Sequence, residues 1–152
     1  MSLSSHQVSL IQNSFKQVVP IADAAAKIFY DKLFEYDPKL QRMFKNSMGE
    51  QGKKLMQTLG VAIGALKTLD KVVPIIQGLA VKHLDYGVKV DDYTPVGNAL
   101  IYTLGQGLGS GFTLEIKQAW TALLKLVFDV MRSAAYPSFD PATYKNHKHY
   151  NR

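Results

Sequence analysis

The chain of 152 residues contains no cysteine. This absence excludes disulfides, iron–sulfur clusters and every metal site built on thiolates. No apolar run reaches the roughly 18 residues that a membrane-spanning helix needs. The first twenty residues also hold no apolar stretch of signal-peptide length. We therefore expect no membrane span, no secretion and a cytoplasmic location.

The chain has an excess of positively charged residues, which are not concentrated in one segment. Lys and Arg number 18 against 12 Asp and Glu, which gives a formal net charge of +6. Such an excess can attract nucleic acid or an anionic membrane. The cations are scattered in ones and twos, however, and no run of five like charges occurs. We interpret the excess as a solvated basic surface and expect no nucleic-acid partner.

Apolar residues recur at helical spacing along nearly the whole chain, whereas strict alternation is scarce. The pattern predicts an all-α domain of about seven helical elements at residues 1–136, followed by a polar, loosely held tail at 137–152. The first helix is predicted to begin at Ser4 or Ser5 and to end near Pro20. The others are predicted at about 21–36, 51–69, 70–85, 92–109 and 114–134, with a short turn at 37–44.

Several helix boundaries follow from local residue types. Residues 45–50 are predicted to form a loop, and Thr113 is predicted to cap the last helix. Asp70 is predicted to cap a helix that has Pro74 in its first turn. The glycines of 105–111 resemble a phosphate loop, but neither a strand before them nor a Lys-Ser/Thr pair after them is present, so we interpret them as a helix stop.

Histidines are few, and they constrain the chemistry. The chain has only four, at His6, His83, His147 and His149. His147 and His149 have the spacing of a metal pair on a strand, but their polar surroundings favour a solvated tail. Only His83 lies in the folded region on an element with an apolar face, where a histidine alone is more often a structural residue than a ligand. No zinc-binding His-Glu-x-x-His helix exists, and no catalytic Ser-His-Asp triad can be assembled.

A set of fragments adds a more specific indication through its order and spacing. The fragments are Phe29-Tyr30-x-x-Leu33-Phe34, Asp37-Pro38 with Met43-Phe44, Gln51 before Lys54-Leu55-Met56, Leu79-Ala80-x-Lys82-His83-x-x-Tyr86-Gly87-Val88, Tyr93-x-x-Val96-Gly97, and Phe112-Thr113 with Ala119-Trp120. Over roughly residues 4–133 the chain resembles the globin family, especially bacterial single-domain globins related to flavohaemoglobins and, more distantly, animal neuroglobins. The resemblance implies a three-over-three globin fold around haem b.

On the proximal side the resemblance makes His83 the ligand of the haem iron. Its second ring nitrogen is then expected to bond a carbonyl one turn back, near Leu79. The further haem contacts that the resemblance implies are Phe44, Leu55, Lys54, Tyr86, Val88 and Tyr93. Tyr93 matches a tyrosine that flavohaemoglobins keep behind the proximal histidine, but Ala135 stands where they have a glutamate. The resemblance therefore does not extend to a strongly basic, peroxidase-like imidazole.

On the distal side the resemblance places Tyr30 and Gln51 as two hydrogen-bond donors for dioxygen. Tyr30 can alternatively be a core aromatic residue whose hydroxyl bonds elsewhere. Gln51 replaces the family's common distal histidine, and no histidine lies between residues 7 and 82. Two histidine ligands on one iron are therefore not expected, although Tyr30 or Lys54 can ligate ferric iron.

Three functions remain open from the sequence. The first is reversible dioxygen binding for storage, transport or scavenging, with nitric oxide and carbon monoxide as further ligands. The second is a nitric oxide dioxygenase for nitric oxide detoxification, which would need electrons from a separate reductase. The third is a haem-based sensor, or a globin without haem that acts as an interaction module.

Overall fold

The computed structural model describes residues 3–44 and 47–146. Its six α-helices are α1 (Ser5–Val18), α2 (Ala22–Tyr36), α3 (Met48–Gly64), α4 (Leu69–Asp85), α5 (Tyr93–Leu108) and α6 (Leu114–Ala135). Short 3₁₀ segments occupy Val19–Ile21, Pro38–Met43, Leu66–Thr68, Val90–Asp92 and Gly109–Gly111. These ranges contain no β-strand. The all-α prediction is confirmed, and the short turn predicted at 37–44 is the 3₁₀ segment Pro38–Met43.

The predicted helix caps at Ser4 and Thr113 are confirmed. The Ser4 hydroxyl accepts a hydrogen bond from the Gln7 N–H at 3.0 Å, and the Gln7 side chain accepts one from the Ser4 N–H, also at 3.0 Å. The Thr113 hydroxyl accepts from the Ile116 N–H at 3.3 Å. Each contact satisfies an N–H that has no partner inside its own helix, which is why both helices begin where they do.

The boundaries of α3 differ from the prediction at both ends. The helix begins at Met48 rather than at Gln51, because the Ser47 hydroxyl accepts from the Glu50 N–H at 3.3 Å and draws residues 48–50 into the first turn. It ends at Gly64 rather than at 69. The chain then tightens into 3₁₀ geometry, where the Thr68 N–H donates to the Ala65 carbonyl at 2.9 Å.

The predicted start of α4 was wrong. Thr68 is its N-cap residue, without a side-chain bond, and Asp70 lies inside the first turn. Pro74 therefore falls within the helix rather than in its opening turn. Because proline has no N–H, the Asp70 carbonyl loses its usual helical partner there. Pro74 is exposed, so solvent can hydrate that carbonyl.

The pairs of helices that pack on each other determine where the core lies, and the pairs that do not determine where it is open. α2 packs on α3 and α5, while α6 packs on α1 and α4. Within this core the Trp120 Nε1–H donates to the Ser14 hydroxyl at 2.9 Å, which joins α6 to α1. In contrast, α3 and α4 follow each other in sequence but scarcely touch within the described residues. The two helices therefore stand apart, and we refer to the space between them as the crevice.

The segment after α6 is held more closely than predicted. The Tyr136 hydroxyl donates to the Val88 carbonyl, and the Tyr144 hydroxyl donates to Asp91 Oδ1 at 2.5 Å. Tyr144 is half-buried, so the expectation of a loosely held tail is wrong as far as this residue. His147 and His149 lie outside the described residues. Among the described helices, none is both long enough and apolar enough to cross a membrane.

Candidate functional site

His83 lies in the last turn of α4 and is half-buried. Its Nδ1 is 2.7 Å from the Leu79 carbonyl oxygen. A carbonyl can only accept, so Nδ1 carries a proton, and in the neutral imidazole the free lone pair is then on Nε2. This tautomer is the one that binds a metal through Nε2 while the second nitrogen is fixed by a hydrogen bond. The acceptor is the carbonyl that the sequence led us to expect.

Three residues surround the His83 side of the crevice, namely Tyr86, Val88 and Tyr93. The rings of Tyr86 and Tyr93 lie 6.0 Å and 6.4 Å from the His83 ring. The Val88 N–H donates to the His83 carbonyl at 3.1 Å. Tyr86 is 63% exposed and lies at the rim, whereas Tyr93 is 3% exposed.

The Tyr93 hydroxyl is buried and has no hydrogen-bond partner within the described part of the chain. Burial raises the pKa of Tyr93, so the hydroxyl stays protonated in the ordinary pH range. A buried donor without an acceptor is unfavourable by about 1–3 kcal/mol. Its position beside His83 is therefore consistent with a further group being bound there.

Tyr30, Phe44 and Leu55 come together on the other side of the crevice in one apolar cluster. The Tyr30 and Phe44 rings meet edge to face at 5.3 Å. Tyr30 is 5% exposed, and its hydroxyl donates to the backbone carbonyl of Gln51 at 3.2 Å. Burial raises the pKa of Tyr30 to about 12. The hydroxyl is thus a neutral donor whose single proton is engaged with α3.

Gln51 and Lys54 lie in the first half of α3 with different surroundings. Gln51 is half-buried, and its side-chain amide makes no hydrogen bond with any described residue. Lys54 is exposed and stands outside the apolar cluster that holds Tyr30. Gln51 is therefore placed at the edge of the crevice, while Lys54 is placed toward solvent.

The donor set indicates which kind of metal cofactor suits the crevice. Within the described residues, no group of three His, Cys, Asp or Glu side chains could hold a bare metal ion. His83 instead offers a single imidazole beside Tyr93, which belongs to a largely apolar cluster. A lone imidazole in apolar surroundings fits a metal whose remaining ligands come from an apolar macrocycle, as in haem. The residues present thus fit haem.

Comparison with known proteins identifies the family. The family model described as Globin matches residues 27–131. The chain belongs to the globin family. Globin membership implies a haem cofactor and diatomic gas ligands. The matched range runs from α2 into α6 and includes Tyr30, Gln51 and His83.

Two kinds of protein are reported among the relatives of this globin. A flavohemoprotein of Oceanobacillus iheyensis is 30% identical over 125 residues, which cover 78% of this chain and 31% of the relative. A flavohemoprotein of Halalkalibacterium halodurans is 25% identical over 135 residues, covering 84% of this chain and 33% of the relative. A neuroglobin of Danio rerio is 26% identical over 143 residues, covering 85% of this chain and 90% of the relative. The chain thus spans about a third of the flavohemoproteins and most of the neuroglobin.

Arg132 is a residue near the site that sequence reasoning missed. It is 7% exposed, its Nε–H donates to the Val90 carbonyl at 2.9 Å, and its guanidinium carbon lies 5.6 Å from the centre of the Tyr93 ring. Ala135, one turn later, packs in the same cluster as Tyr93. The available signal was an arginine four residues after Phe128 on the apolar face of α6.

Proposed function

We propose that this globin binds dioxygen reversibly at a ferrous haem b whose iron is held by His83. The observation that carries the proposal is the 2.7 Å contact between His83 Nδ1 and the Leu79 carbonyl. It places a proton on Nδ1, so that Nε2 is the ring nitrogen available to bind iron. When bound, haem would supply the ferrous iron that takes a diatomic ligand.

The surroundings of His83 favour reversible binding over oxygen activation. A carboxylate acceptor would make the imidazole more basic and push electron density toward the iron. The acceptor here is instead a neutral carbonyl, and the nearby helix position in α6 is the methyl side chain of Ala135. The hydrogen-bond acceptor of the imidazole is therefore not a carboxylate, which suits holding dioxygen rather than cleaving it.

Tyr30 and Gln51 are the proposed distal donors. The half-buried Gln51 amide makes no hydrogen bond to a described residue, so it can turn toward the ligand without breaking one. The Tyr30 hydroxyl must release the Gln51 carbonyl first, but that contact is long at 3.2 Å. A diatomic ligand that draws negative charge from the iron is a stronger acceptor than a peptide carbonyl. We therefore expect Tyr30 to exchange partners when the ligand binds.

The remaining proposed haem contacts divide by their surroundings. Phe44, Leu55 and Val88 are half-buried in the two clusters and would pack on the porphyrin. Exposed Tyr86 and Lys54 would lie at its edge, where the propionates meet solvent. Tyr93 would pack beside His83, as its ring does in this structure.

Replacement of His83 tests the assignment directly. We expect His83→Gly to lose most of its haem and to regain a ferrous and oxygenated spectrum when imidazole is added, because free imidazole can occupy the vacated ligand position. The matched control is His6→Gly, which removes a histidine on α1 and should leave the absorption spectra unchanged. Unaltered haem content and spectra in His83→Gly would contradict the proposal.

The similarity to flavohemoproteins favours nitric oxide dioxygenase activity as a second candidate. It would use the same Tyr30–Gln51 side of the crevice and would need electrons from a reductase. The alignment covers about a third of those relatives. Steady consumption of nitric oxide by the protein with an added flavin reductase and NADH would support it. A single burst equal to the haem concentration, with no turnover after it, would argue against it.

A further inference from the structure

A cavity of about 570 Å³ lies between α5 and α6, apart from the haem crevice. The segment that follows α6 closes one side of it through Pro141 and Tyr144. None of the residues assigned to haem or to its gas ligand lines this cavity. Its volume is within the range of sites that hold small organic ligands. We refer to it as the α5–α6 cavity.

A buried amide marks the wall of the cavity. Asn98 lines it from α5, and its Nδ2 is buried without a hydrogen-bond partner among the described residues. Leaving an amide donor both dry and unbonded is unfavourable by about 1–3 kcal/mol. Such groups are rare in folded proteins, and a missing ligand is one of the ordinary explanations. The amide borders the cavity without facing it, and a rotation of the Asn98 side chain would bring Nδ2 to an acceptor atom on a bound ligand.

The charges of the lining indicate an anion. Lys117, Lys125 and Arg132 line the cavity, and Asp129 is the acid among the described lining residues. Asp129 is already bonded to Lys125 at 3.0 Å. Lys117 therefore has no acidic partner in the described wall, whereas the Arg132 guanidinium donates to the Val90 carbonyl and the Thr94 hydroxyl. Arg132 is 7% exposed, so its charge acts in surroundings where water screens it weakly.

The rest of the lining suits a flat apolar body. Four aromatic rings contribute to it: Tyr36, Tyr102, Phe128 and Tyr144. The Arg132 guanidinium lies 4.5 Å from the centre of the Tyr144 ring and 6.0 Å from that of Phe128, which holds these groups in a fixed arrangement. Preformed aromatic walls with a few polar groups are typical of small-molecule sites.

We propose that the α5–α6 cavity is a binding site for a small organic anion with a planar apolar body, of the aromatic carboxylate class. The carboxylate would accept from the Asn98 amide and lie near Lys117, while the ring system would pack among the aromatic side chains. The site is independent of the haem assignment, since it shares none of the residues proposed for it.

Calorimetric titration with naphthalene-2-carboxylate tests the proposal, with the protein saturated in haem so that the probe cannot use the haem crevice. We expect one site with a dissociation constant on the order of 100 µM, the range that good contacts give a ligand of this size. Naphthalene-2-methanol has the same ring system without the charge. It should bind at least tenfold more weakly, and equal affinity of the two probes would overturn the anion assignment.

Substitutions then locate the probe. Thr121→Trp places a bulky side chain in the mouth of the cavity and should abolish binding, whereas Lys67→Gln removes a cation outside the cavity and should change nothing. Lys117→Gln should weaken binding at least threefold. Wild-type affinity in Thr121→Trp would place the probe elsewhere and overturn the proposal.

Asn98→Leu separates a ligand-binding amide from a merely structural one. Because the variant removes an unbonded buried donor, its melting temperature should rise while its affinity for the carboxylate falls at least threefold. A purely structural residue would move the melting temperature alone. Unchanged affinity in a folded Asn98→Leu protein would contradict the role given to the amide.

Discussion

The Tyr30→Phe substitution tests the distal side of the site with the least disturbance. It removes one oxygen atom from a side chain that is 5% exposed and leaves the ring among Phe29, Phe34 and Phe44. The lost contact in the unliganded protein is a hydrogen bond of 3.2 Å to the Gln51 carbonyl. That carbonyl lies in helical backbone, so it retains an N–H partner in the variant.

The magnitude follows from the difference between two hydrogen bonds. A neutral bond of this length contributes about 0.5–1 kcal/mol, and a bond to a ligand carrying negative charge contributes about 1.5–3 kcal/mol. Only the difference stabilises the liganded state, because Tyr30 has a single proton to donate. A net value of about 1–1.5 kcal/mol corresponds to a five- to twelvefold faster dissociation of dioxygen. A hydroxyl without a competing partner would give a larger effect.

Stopped-flow displacement of dioxygen by carbon monoxide measures that rate. The matched control is Tyr36→Phe, which removes a hydroxyl from the same helix at the α5–α6 cavity and should leave the rate unchanged. The carbon monoxide dissociation rate should change less than the dioxygen rate in Tyr30→Phe, since carbon monoxide takes less negative charge. A dioxygen rate equal to that of the wild type would refute the distal role and leave Tyr30 as a core residue.

Two further predictions concern stability. Burial raises the pKa of Tyr30 to about 12, so its contribution to stability is intact below the ordinary tyrosine value of about 10 and is lost as the pH rises toward 12. Guanidinium unfolding at pH 8 and pH 11 should therefore show a smaller loss of unfolding free energy for Tyr30→Phe than for the wild type. Equal losses in the two proteins would contradict this. Tyr144→Phe removes the 2.5 Å bond to Asp91 on a half-buried side chain and should lower the free energy of unfolding by about 1 kcal/mol, a melting shift of about 3 °C, without altering the haem spectrum. A spectral change with that variant would show that the segment after α6 acts on His83 through Arg132 and Tyr93.

Local chemistry was sufficient for much of the fold. Helical spacing of apolar residues predicted the helices, and Ser4 and Thr113 were recognised as caps because capping depends on residues within one turn. The same reasoning failed at Ser47 and Asp70. Several residues there can cap, and the packing of the whole helix selects between them. Local propensities differ too little to decide such cases alone.

Some contacts of the site were predictable from the sequence, and others were not. The bond between His83 and Leu79 was expected from the resemblance to globins, and it joins two residues of one helix at a spacing of four. The partner of the Tyr30 hydroxyl was not, since it joins residues 21 positions apart on different helices. Arg132 was missed for the same reason: its contacts to Val90 and Tyr93 exist only after α6 packs beside α4 and α5.

The sequence by itself determined that the protein is helical, because helical spacing depends on residue type and local pattern. The roles proposed for His83, Tyr30 and Gln51 came from the order and spacing of the fragments that resemble globins. Only the tertiary structure decided that α3 and α4 stand apart, that the Tyr30 proton is already engaged and that the segment through Tyr144 packs on Asp91 and Arg132. The α5–α6 cavity likewise depends on the meeting of two helices and the segment beyond them. Contacts between distant residues form through packing, and no local pattern in the sequence encodes them.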